Sequence, residues 1–179
     1  MRTSKAQARK NRVRVVESAS VLFRERGYDG IGVKELMAGV GLTHGGFYNQ
    51  FSSKSTLMIE ATSFALSQMT VDSNASDFIN YYVSRAHRDS VGQGCAIAAL
   101  GGDAARQHIE IKSVFETGIE KLISGLSSGL SANEQKEARA KAVSLLAQAV
   151  GAIVLSRACP DDTPLADEIL DSCKLSLAI

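Results

Sequence analysis

The run Thr43-His44-Gly45-Gly46-Phe47-Tyr48-Asn49-Gln50-Phe51-Ser52-Ser53-Lys54 sets small, hydrogen-bonding and cationic residues side by side. Thr43 is a good N-cap, so the run opens a short helix whose exposed positions are His44, Gly45, Tyr48 and Asn49. A helix that reads base edges needs small and hydrogen-bonding groups at its N-terminal end, so that its backbone enters the major groove. Gly45 and Gly46 each cost a helix about 1 kcal/mol relative to Ala. Close approach to a nucleic acid is a reason to tolerate that cost.

Other residue types with chemical potential are fewer. The 3 cysteines, Cys95, Cys159 and Cys173, show no C-x-x-C spacing, which argues against a zinc knuckle or disulfide scaffold and fits a reducing compartment. Cys95 follows Gly92 and Gly94 at an expected helix start, where free backbone N–H groups favour a thiolate. The apolar stretch Ala96-Ile97-Ala98-Ala99-Leu100 works against that by raising its pKa, and the balance favours an inert, packed thiol. Gly125-Leu126-Ser127-Ser128-Gly129 matches G-x-S-x-G, but no strand precedes it, so it reads as a flexible connection between helices rather than a nucleophile elbow. His44, His87 and His108 lack metal-ligand spacing, and no phosphate-binding glycine loop follows a strand. No metal, no cofactor and no enzymatic activity are expected.

The elements that must position these residues are helical throughout. Val15, Val16, Ala19, Leu22 and Phe23 form one apolar stripe, closed by Gly27. Val33, Leu36, Met37 and Val40 form a second short stripe, and Gly39-Val40-Gly41-Leu42 is the glycine-containing turn that a helix-turn-helix requires. Ser53 caps a fourth helix carrying Leu57, Met58, Ala61, Phe64 and Ala65. Longer helices are expected over 75–88, 95–106 and 107–126, over 131–157 behind a Ser131/Glu134 capping box, and from Pro164 to the C-terminus behind Thr163. The reading is all-α, with about nine helices.

Charge separates the two ends of the chain. Residues 1–54 carry ten basic and four acidic side chains, net +6, whereas the remainder carries ten basic and fifteen acidic, net −5. Such asymmetry points to a polyanion as partner of the N-terminal third alone. At 45% hydrophobic and 22% charged over 179 residues, the chain has material for a packed core. Its longest uncharged run, Ala142 to Ser156, is 15 residues, short of a membrane span of about 20. A soluble, cytoplasmic protein without a membrane partner is expected.

Leu22-Phe23-Arg24-Glu25-Arg26-Gly27-Tyr28, Val33-Lys34-Glu35-Leu36 and Val40-Gly41-Leu42-Thr43 through Lys54 together resemble the N-terminal domain of the tetracycline-repressor (TetR) family. The resemblance covers roughly residues 10–60. It implies a homodimer with a helix-turn-helix head (residues 1–53) and a larger body (residues 54–179) for effector binding and dimerisation. Carried over by position, Lys34, Thr43, His44, Gly45, Tyr48, Asn49 and Lys54 face DNA, with Tyr48 and Lys54 on phosphates and Phe47 and Phe51 in the core. The chain departs from the family at Gly32, where Ser or Thr usually caps the second helix.

In the body, Val143, Leu146, Val150 and Ile153 form one apolar face of a helix, and Leu145, Ala149 and Ala152 another. One face against the body and one against a second copy is the economical arrangement. With Ile169 and Leu170 of the last helix, the second face is expected to build a four-helix dimer interface. Effector-pocket candidates are Phe64, Met69, Phe78, Tyr81, Tyr82, Cys95, His108 and Phe115. The expected function is a homodimeric repressor released from double-stranded operator DNA by a small organic effector. Two rivals remain: a regulator that senses oxidants or electrophiles through Cys95, and a ligand-binding or enzymatic body with a vestigial head.

Overall fold

The computed structural model describes residues 5–71, 75–130 and 135–177. Among them are ten α-helices and no strand: α1 Lys5–Arg26, α2 Val33–Gly39, α3 His44–Phe47, α4 Lys54–Ser67, α5 Ala75–Tyr82, α6 Arg85–Asp89, α7 Ala96–Ala104, α8 Ile109–Ser128, α9 Gln135–Ala158 and α10 Pro164–Ser176.

The α1 stripe buries Val15, Ala19 and Phe23, and the helix ends where Gly27 takes φ 74° and donates to the Phe23 carbonyl at 2.8 Å. A side chain there would also press on Asp103 Oδ2 at 2.7 Å, but it is the left-handed backbone that requires glycine. Just beyond, the Tyr28 N–H donates to Asp103 Oδ2 at 3.3 Å, and the Tyr28 hydroxyl pairs with Thr62 at 2.7 Å. Burial pushes that phenol up to about 12. Phe23 meets Tyr28 edge-on at 5.4 Å, while Phe47 stacks on Phe51 at 5.3 Å. Each fully buried side chain of this size stabilises the head by about 1.5–3 kcal/mol relative to exposure.

α4 packs on α1 with one side and on α8 with another, so it joins the head to the rest. The first core accordingly runs from Phe23, Phe47 and Phe51 through Leu57 and Ala61 to Leu100, Ala104, Ile111 and Phe115. A second core gathers Ile79, Tyr82, Cys95, Leu122, Leu126, Leu146, Ala149, Ile153 and Leu170 from α5 and α7 to α10. α9 is long and apolar enough to cross a membrane by length and composition. In this fold it lies between α8 and α10, with Ala142, Leu146, Ala149 and Ile153 turned inward.

Boundaries and one cap differ from the periodicity. The expected helix over 75–88 breaks after Tyr82, because Ser84 accepts from the His87 N–H at 3.2 Å and starts α6 as its N-cap. Gly125 to Ser128 are the last turn of α8 rather than a flexible connection, with Gly129 as C-cap. Thr163 does precede Pro164, but its hydroxyl donates to the Pro160 carbonyl at 3.0 Å and caps nothing. The Ser131/Glu134 capping box lies outside the described residues.

Candidate nucleic-acid interface and effector site

Three short elements build the outer surface of the head. Gly41, at φ 70°, turns the chain from α2 into α3. Thr43 caps α3, its Oγ1 accepting from the Gly46 N–H at 3.3 Å. Phe47 faces inward and so fixes which side of α3 faces out: Thr43, His44, Gly45 and Asn49 are exposed, and Tyr48 is 64% exposed. Tyr48 is held edge-on against Phe47 at 5.2 Å and against His44 at 5.8 Å. A Cβ on Gly45 would meet nothing within 4 Å, so this side of α3 is open.

Lys34 stands exposed on α2, and Lys54 is half-buried at the first position of α4, whose N-cap Ser53 accepts from Thr56 N at 3.1 Å. Neither lysine has an ion pair among the described residues. The seven residues expected to face DNA are therefore accessible and brought to one part of the molecule by α2, α3 and the start of α4.

Not every basic residue of the N-terminal third is available to a polyanion. Arg12 bonds the Gln50 carbonyl and Glu60, with its guanidinium 4.2 Å from the Phe51 ring centroid. Arg14 donates to the Val40 carbonyl at 2.9 Å, Arg26 pairs with Glu35, and buried Arg24 donates from Nε to the Gly92 carbonyl at 2.8 Å. These four hold the head together and tie it to the segment before α7. Their roles depend on partners up to 68 residues away, which no charge count reveals. Lys5, Arg9 and Lys10 are exposed cations of α1 too, alongside the engaged Arg14 and Arg26.

Residues 15–61 match the family described as bacterial regulatory proteins, tetR family. The N-terminal segment thus carries the DNA-binding signature of that family. The whole described fold agrees with solved structures of that kind. A TetR-family transcriptional regulator from Cytophaga hutchinsonii, 19% identical, superposes with a TM-score of 0.75 over 99% of this chain and 97% of that one. E. coli NemR in its reduced form gives 0.70 at 18% identity, covering 94% and 95%. AibR in complex with isovaleryl coenzyme A and operator DNA gives 0.65 at 17% identity, covering 94% and 98%. At these identities the likeness establishes the fold. Among curated proteins, none matches the chain.

The effector candidates do not form one site. Phe78, Tyr82 and Cys95 share the second core, with Phe78 and Tyr82 rings 5.5 Å apart. Phe115 belongs to the first core and Phe64 is half-buried on α4. His108 is an exposed residue preceding α8, because the expected helix over 107–126 starts two residues late, so it lines no interior. Tyr81 likewise points to solvent.

The structure adds His87 and Arg157, which had no role in the sequence reading of the site. The Cys95 backbone N–H, a donor only, bonds His87 Nε2 at 2.9 Å. That nitrogen must therefore be the acceptor, and Nδ1–H donates to the Tyr82 carbonyl at 2.7 Å. The ring is thus neutral, and burial, reinforced by Arg157, lowers its pKa. Cys95 is 1% exposed, its sulfur accepts from the Ile97 N–H at 3.3 Å, and burial pushes the thiol up. A protonated, enclosed thiol is packing in this state rather than a nucleophile.

The expected dimer face also changes. Ala149 is 0% exposed, and Ala152 and Leu170 are buried too, all inside the single chain; Leu145 and Ile169 are half-buried. The reason is register: α9 meets α8 and α10 on adjacent sides, and both sides take the small residues that allow close approach. The apolar side chains left in solvent are Val143, Val154 and Leu155 on α9, with Leu165 and Leu175 on α10.

Proposed function

We propose that this chain is a homodimeric repressor whose α3 enters the major groove of operator DNA and which a small organic effector releases. The observation that carries the reading is the exposed, uncommitted set Thr43, His44, Tyr48 and Asn49 on a rigidly capped helix, flanked by Lys34 and Lys54. His44 and Asn49 offer hydrogen bonds to base edges, Gly45 lets the backbone approach, and Tyr48 with Lys54 holds phosphates. Residues 1–53 act as the head and 54–179 as the effector-binding and dimerisation body, with α4 as the shared element. Such a protein works in the cytoplasm without a membrane partner.

A second copy covers the outer side of α9 and α10, where Val143, Val154, Leu155, Leu165 and Leu175 stand in solvent. Large contiguous exposed apolar surface is unusual in a monomer. Two heads must sit about 34–36 Å apart to reach successive major grooves, so an effector that prefers another separation lowers operator affinity. A small-molecule effector is supported by analogy with AibR, which is described with both isovaleryl coenzyme A and operator DNA. The test is an electrophoretic shift with promoter DNA from the protein's own locus. Binding that is saturable, salt-dependent and lost in Tyr48→Ala with Lys54→Ala supports the reading; no binding at low salt overturns it.

A further inference from the structure

We propose that the Arg157 guanidinium and the Tyr82 hydroxyl are the two donors of a buried carboxylate site, and that the effector is a small organic carboxylate. The proposal rests on the reading of this chain as an effector-released regulator and names the chemistry of the effector.

Every other deeply placed arginine of the body is satisfied. Arg88, almost fully buried, bonds Ser156, the Cys159 carbonyl, Asp89 and Asp161. Arg157 is different. Its Nε donates to the Arg88 carbonyl at 2.8 Å and its Nη2 to the His87 carbonyl at 2.9 Å, which caps the C-terminal end of α6. Its Nη1 is buried without any partner, and among the described residues Arg157 makes no ion pair. The Tyr82 hydroxyl is also buried without a partner: the Cys95 thiol lies beside it, out of hydrogen-bond geometry. Both residues neighbour His87, whose carbonyl accepts from Arg157 Nη2 and whose ring lies 4.5 Å from the Tyr82 ring.

Two unfilled donors and a half-buried guanidinium without a direct ion pair define the missing partner. Buried polar atoms are almost always paired, and a buried charge needs a counter-charge as well as hydrogen bonds. An arginine has no acceptor, so the ligand must supply oxygen lone pairs and a negative charge. A carboxylate offers two oxygens in one plane, one for each donor. A phosphate dianion would bring more charge than two donors hold, past the carboxylates of Asp89 and Asp161. An open cleft of about 300 Å³, lined by Arg85, Arg88, Asp89, Val91, Arg157 and Asp161, reaches Arg157 from solvent. That volume is at the small end for ligand pockets.

The site is wired to the head by bonds already described. His87 holds the Cys95 N–H, and the segment leading to Cys95 carries the Gly92 carbonyl that Arg24 of α1 binds. A side chain on Gly92 would meet Glu25 at 2.5 Å and Val21 at 2.8 Å, so α1 sits directly on this segment. A ligand that draws on Arg157 and Tyr82 shifts His87, the segment and α1 together, and needs only to prefer one arrangement to change operator affinity.

The test uses the full chain with straight-chain monocarboxylates from acetate to octanoate, the matching 1-alkanols and inorganic phosphate, read by thermal shift and by titration calorimetry. One or more carboxylates are expected to raise Tm and lower operator affinity, with the alcohol of equal length binding at least tenfold more weakly. Tyr82→Phe removes only the unpartnered oxygen, so its free form is expected to keep or raise Tm while carboxylate binding weakens about tenfold or more. Arg157→Gln is expected to lose carboxylate binding and Arg157→Lys to recover part of it. Equal binding of alcohols and carboxylates, unchanged affinity in Tyr82→Phe, preference for phosphate, or no shift with any carboxylate overturns the proposal. Carboxylate binding that leaves operator affinity unchanged overturns the effector role. Failure to bind operator without ligand strikes the regulator reading alone, since carboxylate binding is read without DNA.

Discussion

In the head, Thr43, His44, Tyr48 and Asn49 stand in solvent on and beside one four-residue helix, while in the body Tyr82, His87, Cys95 and Arg157 turn inward from four separate elements. The head draws its whole candidate surface from the stretch Lys34 to Lys54; the body needs residues 75 positions apart to bring Tyr82 and Arg157 to one histidine. Groups on one capped helix hold their geometry by local rules of turn, cap and spacing. Groups that meet across a core do so only through tertiary packing, and they stay coupled to whatever moves that packing. The head is thus suited to present a fixed surface and the body to respond.

The largest expected effect separates the two sides of α9. Ala149→Lys places an unpaired ammonium inside the second core, costing several kcal/mol. Leu155→Lys changes a side chain that is 60% exposed and should leave folding intact. Sedimentation and circular dichroism are expected to show an unfolded or aggregated Ala149→Lys chain and a folded, monomeric Leu155→Lys chain that no longer binds operator. A dimeric Leu155→Lys chain would move the interface elsewhere.

On the head, Lys54→Ala is expected to weaken binding about evenly across DNA sequences and to make the salt slope shallower by about 1, the loss of one phosphate contact. Thr43→Ala or His44→Ala is expected instead to change which operator is preferred. Arg12→Ala, although it removes a charge from the same third of the chain, should act through stability, because its guanidinium is spent on Gln50, Glu60 and Phe51. Parallel salt titrations and melting curves of the three variants distinguish the roles.

How much was legible follows the same division. The L-F-x-x-x-G-Y and F-Y-x-x-F-x-x-K spacing fixed α1 to α4 because each signal is a cap, a turn glycine or a buried aromatic within a few residues of its partner. The all-α class and the long α8 and α9 were equally open to periodicity. The break at Val83 leaves no mark in the periodicity although Ser84 is a good N-cap, because the apolar pattern on either side stays in register. Ala149 and Ala152 face the body for a reason that periodicity does not carry: an all-round apolar helix shows which residues are small, not which neighbour each side meets. His87 and Arg157 give no periodic signal, as both act through backbone groups: His87 through those of Tyr82 and Cys95, and Arg157 through carbonyls about 70 residues away.

The buried histidine of the body makes a smaller, pH-dependent effect. His87 is held neutral, with a folded pKa below the ordinary 6.5 because of burial and of Arg157 nearby. The unfolded chain therefore binds the extra proton first as pH falls. The contribution is fully present above about 6.5 and is lost as pH drops from there toward the folded value. Wild-type Tm is expected to fall between pH 7 and 5 more steeply than that of His87→Gln, and a parallel pair of curves would show that His87 is not the titrating group.

The smallest expected effect compares two glycines of the head four residues apart. Gly41 has φ 70°, where an L side chain is strained whatever the space, whereas a Cβ on Gly45 would meet nothing within 4 Å. Gly41→Ala should cost roughly 1 kcal/mol, since the turn before α3 must keep its left-handed residue. Gly45→Ala should gain up to about 1 kcal/mol from lower backbone freedom in the unfolded chain and better helix propensity. The methyl it adds points from the open side of α3, so operator affinity should fall while the free protein becomes more stable. Denaturant midpoints read the first effect and electrophoretic titration the second. A Gly45→Ala protein that is stabilised and binds operator as tightly as wild type would mean that the backbone of α3 does not approach DNA at this position, and that the glycine is there for some reason other than recognition.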